Sequence, residues 1–230
     1  WRCHATDPRM QRHFDAISAY FEGVADFTLQ DVSLDKSVWL IWVDGPAIPP
    51  TYYVYDLNAA NISPLGSTYP QIPRTQLAST EVVSYTARDG TALWGYLTTP
   101  AGGVTPRGLV VMPHGGPESR DSFGFSFFEQ YLATRGYAIF QPNFRGSEGS
   151  GRTFAEAGHR QWGRRMQDDV TDGVRHLIQT GRADAQRICI VGASYGGYAA
   201  LAGGAFTPDL YKCVVSIAGD ADLVQMLDEE

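Results

Sequence analysis

Residues Cys189–Ala200 read CIVGASYGGYAA: an apolar run of strand character, then Gly-x-Ser-x-Gly, then a run of small, helix-forming residues. A strand that passes into a helix through a tight turn is the setting that presents a serine hydroxyl to solvent. Gly192 and Gly196 flank Ser194 at two-residue spacing, and glycine allows the backbone angles and close approaches that a Cβ forbids. A helix that begins just after the serine turns its unpaired amides and its positive end toward the hydroxyl. The N–H of Tyr195 is then one donor for the negative oxygen of an acyl-transfer transition state. Ser194 is accordingly the candidate catalytic nucleophile.

Upstream, the second half of the chain alternates strands and helices. The stretch EVVSYTARDGTALWGYLTTP is expected to form a hairpin, with strands Val82–Thr86 and Ala92–Thr98 about the turn ARDG. Gly108–Pro113 (GLVVMP) and Tyr137–Asn143 (YAIFQPN) read as buried parallel strands, with a helical segment from about Phe123 to Arg135 between them. Met166, Val170, Val174, Leu177 and Ile178 fall on one face of a helix that Gly181 stops. RICIVGAS and KCVVSIAG are further strands on either side of the helix Tyr195–Phe206. This order predicts a doubly wound, mostly parallel α/β sheet.

Residues up to about Pro73 have another texture. Phe27–Asp35, Ser37–Asp44 and Thr51–Leu57 are short runs rich in aromatic and β-branched residues, followed by ISPLG. GPAIPP is read as a connection that cannot continue a strand. Three or four antiparallel strands in this length fit one blade of a β-propeller, or an isolated small β-domain or part of a sandwich. On the strand pattern alone these readings stay open.

A second chemical signal is MPHGGPES, Met112–Ser119, at the end of an apolar strand. Two adjacent glycines let backbone N–H groups approach a reacting oxygen. Gly116 is the expected second oxyanion donor, with Gly115 as the alternative. His114 is expected to shape the site or touch substrate rather than act as the base. His159 and His176 read as a local hydrogen-bonding residue and a solvated helix residue, and His4 and His13 lie in the first half.

A formal net charge of −7 and the lack of a basic run speak against a nucleic-acid partner. No window approaches the ~20 apolar residues of a membrane span. No histidine, cysteine or carboxylate pair has metal-ligand spacing, so no metal or cofactor is expected. NFRGSEGSG lacks the Lys-Ser/Thr end of a phosphate-binding loop. Cys3, Cys189 and Cys213 are odd in number, and the latter two, inside strand-like runs, are expected to be buried unpaired thiols. Compartment and oligomeric state are left open.

PHGGP, NFRGSEGSGRTF, WGRRMQDDVTDGV, GASYGGYAAL and SIAGDADL together resemble successive signatures of the prolyl oligopeptidase family of serine peptidases, most closely its acylaminoacyl-peptidase and dipeptidyl-peptidase-like branch. TARDGTALWGYLTTP resembles the opening of that family's catalytic domain. The resemblance implies an α/β-hydrolase catalytic domain at 77–230, the last blade of a propeller-like domain at 1–76 before it, and short peptides as substrates. It matches Ser194 to the nucleophile, Tyr195 and Gly116 to the oxyanion positions, and lets Tyr195 line the pocket beside the cleaved residue. All five histidines precede Ser194, whereas in α/β-hydrolases acid and base follow the serine. Asp220 and Asp222 match neither, so acid and base are expected beyond Glu230 and the isolated chain is expected to turn over little. An esterase of the same fold and a non-catalytic relative are the alternatives.

Overall fold

The computed structural model describes residues 5–224. Two compact units emerge: residues up to Ser79 together with Phe123–Gln130, and Thr80–Ser122 together with the residues from Tyr131 onward. The segment Phe123–Gln130 joins the first unit for visible reasons. The Phe125 N–H donates to the Asp44 carboxylate at 2.7 Å, and the Gln130 side chain accepts from Ala78 N while donating to Pro46 O.

The first unit opens with a helix, α1 (Pro8–Tyr20), where the sequence reading has only β-structure. The signals were present. Asp7 caps the helix by accepting from Arg9 N at 2.7 Å, and Pro8 occupies the first turn, where a missing N–H costs nothing. Met10, Phe14, Ile17 and Phe21 recur at helical spacing and pack on the sheet. That sheet is an antiparallel meander, β1 (Asp26–Val32), β2 (Val38–Gly45), β3 (Ile48–Asp56) and β4 (Asn61–Ser67), in the order β1-β2-β3-β4. Burial alternates along β2, so Trp39, Ile41 and Val43 meet Tyr53 and Tyr55 in the core. Contrary to expectation, β3 includes Pro49 and Pro50. The register passes from Gly45↔Ile48 to Val43↔Thr51 and so skips both prolines, which leaves no ladder N–H missing.

The second unit holds a six-stranded sheet, β5 (Ser79–Thr86), β6 (Ala92–Thr99), β7 (Leu109–Val111), β8 (Ala138–Asn143), β9 (Ile188–Ala193) and β10 (Cys213–Ile217). Its order is β10-β9-β7-β8-β6-β5. β8, β7, β9 and β10 run parallel to one another, and β6 is antiparallel to β8. This is the α/β-hydrolase arrangement that the sequence implied. The helices are α2 (Phe127–Ala133), α3 (Arg152–Glu156), α4 (Arg165–Gln179) and α5 (Tyr195–Phe206). Short α3 was not foreseen. On α4 the predicted stripe is confirmed for Met166, Val170, Val174 and Leu177, all buried; Ile178 packs at its edge. These join Phe140, Ile188 and Ile190 from the sheet in one core. β10 is an edge strand of the described sheet, with Val214, Val215 and Ile217 exposed.

The cysteine expectation is overturned. Cys189 and Cys213 face each other in the parallel register of β9 and β10, with Cα atoms 4.7 Å apart, and are disulfide-bonded. Spacing along the chain does not reveal register, and register is what pairs them. Closing this loop of 24 residues in sequence should stabilise the fold by about 3 kcal/mol, by limiting the unfolded chain. Urea unfolding of the parent and of a Cys189→Ala/Cys213→Ala variant checks this; coincident midpoints would refute it.

Candidate active site

Burial alternates along β9 as far as the buried Gly192, Ala193 is exposed, and the chain then turns into α5 at Ser194. Sterics explain both flanking glycines. A Cβ on Gly192 would lie 2.1 Å from Gly196 O, and one on Gly196 would lie 2.2 Å from Pro113 O. Ser194 takes φ 56° and ψ −127°, a conformation that costs a non-glycine residue about 1–3 kcal/mol. Its own N–H donates to Ile217 O of β10 at 3.0 Å, which fixes the bend from the neighbouring strand. The side chain is exposed and makes no capping bond to the helix.

Tyr195 is the first residue of α5, so its N–H has no partner within the helix and lies at the positive helix end. Its ring behaves otherwise than expected. The side chain is only 1% exposed, packed against Trp162 at 4.7 Å and Phe144 at 5.4 Å between centroids. Burial pushes its hydroxyl pKa up. Enclosed in this way, the ring does not line an open pocket.

The loop after β7 passes directly beside the bend. A Cβ on Gly115 would stand 3.2 Å from Ala193 O and 3.5 Å from Ser194 Cβ. Gly116 follows at φ 119°, exposed, where a side chain would be strained. His114 does not reach into free space. Its Nδ1 is 2.8 Å from Gly115 O and its Nε2 2.8 Å from Ser147 Oγ, while the ring stacks on Phe144. A carbonyl can only accept, so Nδ1 carries the proton and donates to Gly115 O. The one Ser147 hydroxyl proton has two acceptors within reach, Phe144 O at 2.6 Å and Nε2 at 2.8 Å, and Phe144 O also accepts from the Ser147 N–H at 3.0 Å. Burial lowers the His114 pKa, which favours this neutral ring. With both nitrogens used, His114 shapes the loop and has none left for substrate.

Sequence reasoning passed over Ser147, Arg145 and Asp169. NFRGSEGSG was noted for its glycines and WGRRMQDDV for its helix, although an Arg and an Asp in those stretches are the residues that meet. Asp169 is fully buried on α4 and accepts from Arg145 N at 2.9 Å, Nε at 2.8 Å and Nη2 at 2.7 Å. Arg145 Nη1 also donates to Asp89 at 2.7 Å, and the Asp169 carboxylate raises the Arg145 pKa.

The other described histidines each make contacts of their own. His13 Nδ1 meets Tyr55 OH in the first unit, His159 pairs with Glu118 at 3.5 Å on the surface, and His176 stands half-buried beside Tyr85. His4 and Cys3 lie outside the described residues. The Asp222 carboxylate accepts from Val224 N, a local turn bond. A cavity of about 330 Å³ opens beside the loop, lined by Pro117, Glu118, Gly146, His159, Arg160 and Trp162 among others. Among the described residues no cluster suits a metal ion, and no helix is long and apolar enough to cross a membrane.

Residues 123–230 match the model of the prolyl oligopeptidase family. Dipeptidyl aminopeptidase BIII of Pseudoxanthomonas mexicana is 35% identical over 96% of this chain and 33% of its own length. Dipeptidyl peptidase family member 6 of Caenorhabditis elegans is 31% identical over 85% of this chain and 30% of its own. Among solved structures, a puromycin-hydrolyzing peptidase of Mycobacterium tuberculosis superposes with a TM-score of 0.74 at 27% identity, covering 84% of this chain and 30% of that one. The chain thus spans about a third of the length of these relatives.

Proposed function

We propose that this chain, whose residues 123–230 match the model of the prolyl oligopeptidase family, carries the nucleophile and oxyanion half of a serine peptidase acting on short peptides. The observation that carries this reading is the exposed, strained Ser194 hydroxyl at the start of α5, with the Gly115–Gly116 backbone beside it. Ser194 Oγ attacks the scissile carbonyl carbon, the new C–O bond forms as the carbonyl π pair moves to oxygen, and that oxygen accepts from Tyr195 N–H and Gly116 N–H. Collapse expels the amine, and water hydrolyses the acyl-enzyme. Among the described residues none bonds Ser194 Oγ.

The names of these relatives, a dipeptidyl aminopeptidase and a dipeptidyl peptidase family member, support short peptides over esters as the substrates in this reading. On this reading the antiparallel meander of the first unit is one blade of a propeller that restricts entry to such peptides. Comparing aminoacyl- and dipeptidyl-anilides with short acyl esters on the full-length protein tests this reading, with fluorophosphonate labelling mapped to the modified residue. Anilide hydrolysis with label on Ser194 is expected. Ester hydrolysis without any anilide turnover would make the protein an esterase, and absence of label would make it a non-catalytic relative.

A further inference from the structure

The proposed reaction uses the peptide between Gly115 and Gly116, and the direction of that peptide is set from outside its own loop. Its carbonyl accepts from His114 Nδ1 at 2.8 Å. Among the described residues only Gly116–Pro117 is a cis peptide, so Gly115–Gly116 is trans. In a planar trans unit C=O and N–H point in opposite directions, so holding Gly115 O aims the Gly116 N–H the other way.

His114 is itself held by Ser147, which lies on the loop after β8. That loop and the end of β8 grip the same segment twice more: Glu148 N donates to Ser119 O at 2.8 Å, and Asp121 N donates to Asn143 Oδ1 at 2.9 Å. The oxyanion loop is thus mounted on its neighbour. The neighbour is fastened to α4 by Arg145, which is 4% exposed, through its three bonds to the fully buried Asp169.

Stability alone is a poor reason for such a pair, because a well-packed apolar replacement for a buried ion pair is often neutral or stabilising. A planar guanidinium forked onto a carboxylate offers direction instead: two parallel bonds permit one orientation. We propose that Arg145 and Asp169 are positioning residues. They fix the loop that bears Ser147, and through Ser147 and His114 they set the direction of the Gly116 N–H. The inference rests on the reading of Ser194 as nucleophile.

The experiment takes kcat and KM in the full-length protein, normalised to the number of serines labelled by a fluorophosphonate. Arg145→Lys keeps the charge but loses the fork. Its kcat per labelled site is expected to fall about 10- to 100-fold with KM within about threefold, short of the full loss of one oxyanion donor. Ser147→Ala should fall in the same direction. His114→Asn, which keeps an N–H near the Nδ1 position, should retain more activity than His114→Gln. A lower unfolding midpoint for Arg145→Lys with parental kcat per site would show a purely structural pair and overturn the proposal. So would parental kcat in both Ser147→Ala and His114→Gln. Label that survives Ser194→Ala would sink the nucleophile reading and this proposal together; label lost there, with parental kcat in the other variants, sinks this proposal alone.

Discussion

Replacing Ser194 by alanine is expected to abolish fluorophosphonate labelling and to lower peptide turnover by about a millionfold, the loss that follows when a serine peptidase is deprived of its nucleophile. The same substitution should leave the unfolding midpoint unchanged. The contrast separates two roles for a serine at this position. An N-cap serine accepts from the first turn of its helix, and losing that bond costs about 1 kcal/mol. Ser194 stands at the N-cap of α5 yet makes no such bond, and its side chain is exposed. On the proposed reading the hydroxyl serves the reaction and not the cap, and alanine inherits the same backbone strain without relieving it. Unfolding by urea together with labelling on the full-length protein gives both readouts. A destabilised variant with intact turnover would identify a cap and nothing more.

How much of this was legible in the sequence depended on whether the signal was local. The bend at Gly192–Gly196, the hairpin of β5 and β6 and the apolar stripe of α4 are written in consecutive residues, and each formed where the pattern placed it. α1 was legible too, in Asp7, Pro8 and the spacing of Met10, Phe14 and Ile17, but the aromatic strands after it set the reading of the whole segment. The disulfide was not legible, because it depends on the register of two parallel strands. Nor was the Arg145–Asp169 pair, whose members lie on a loop and a helix with nothing in their spacing to join them. Ser147 and His114 share that difficulty. The candidate nucleophile is a local feature; the residues that orient its surroundings are a tertiary one.

Gly196→Ala carries the other large expected effect, and its sign is the informative part. Gly196 is the second residue of α5, and within a helix glycine to alanine ordinarily stabilises by about 1 kcal/mol. Here the new Cβ would sit 2.2 Å from Pro113 O and 3.2 Å from His114 O, both backbone atoms that cannot rotate aside. Relief requires α5 and the strand end before the oxyanion loop to separate by about an ångström, and such overpacking typically costs up to about 3 kcal/mol. The clash outweighs the propensity gain, so a net loss of about 2 kcal/mol is expected in urea unfolding. Separation also carries Gly115 and Gly116 away from Ser194, so the molecules that remain folded should label about 100-fold more slowly, the scale of one lost oxyanion donor. A variant that unfolds at higher urea than the parent would mean that the elbow does not press on the end of β7. A destabilised variant that still labels at the parental rate would mean that the two loops do not work as one site.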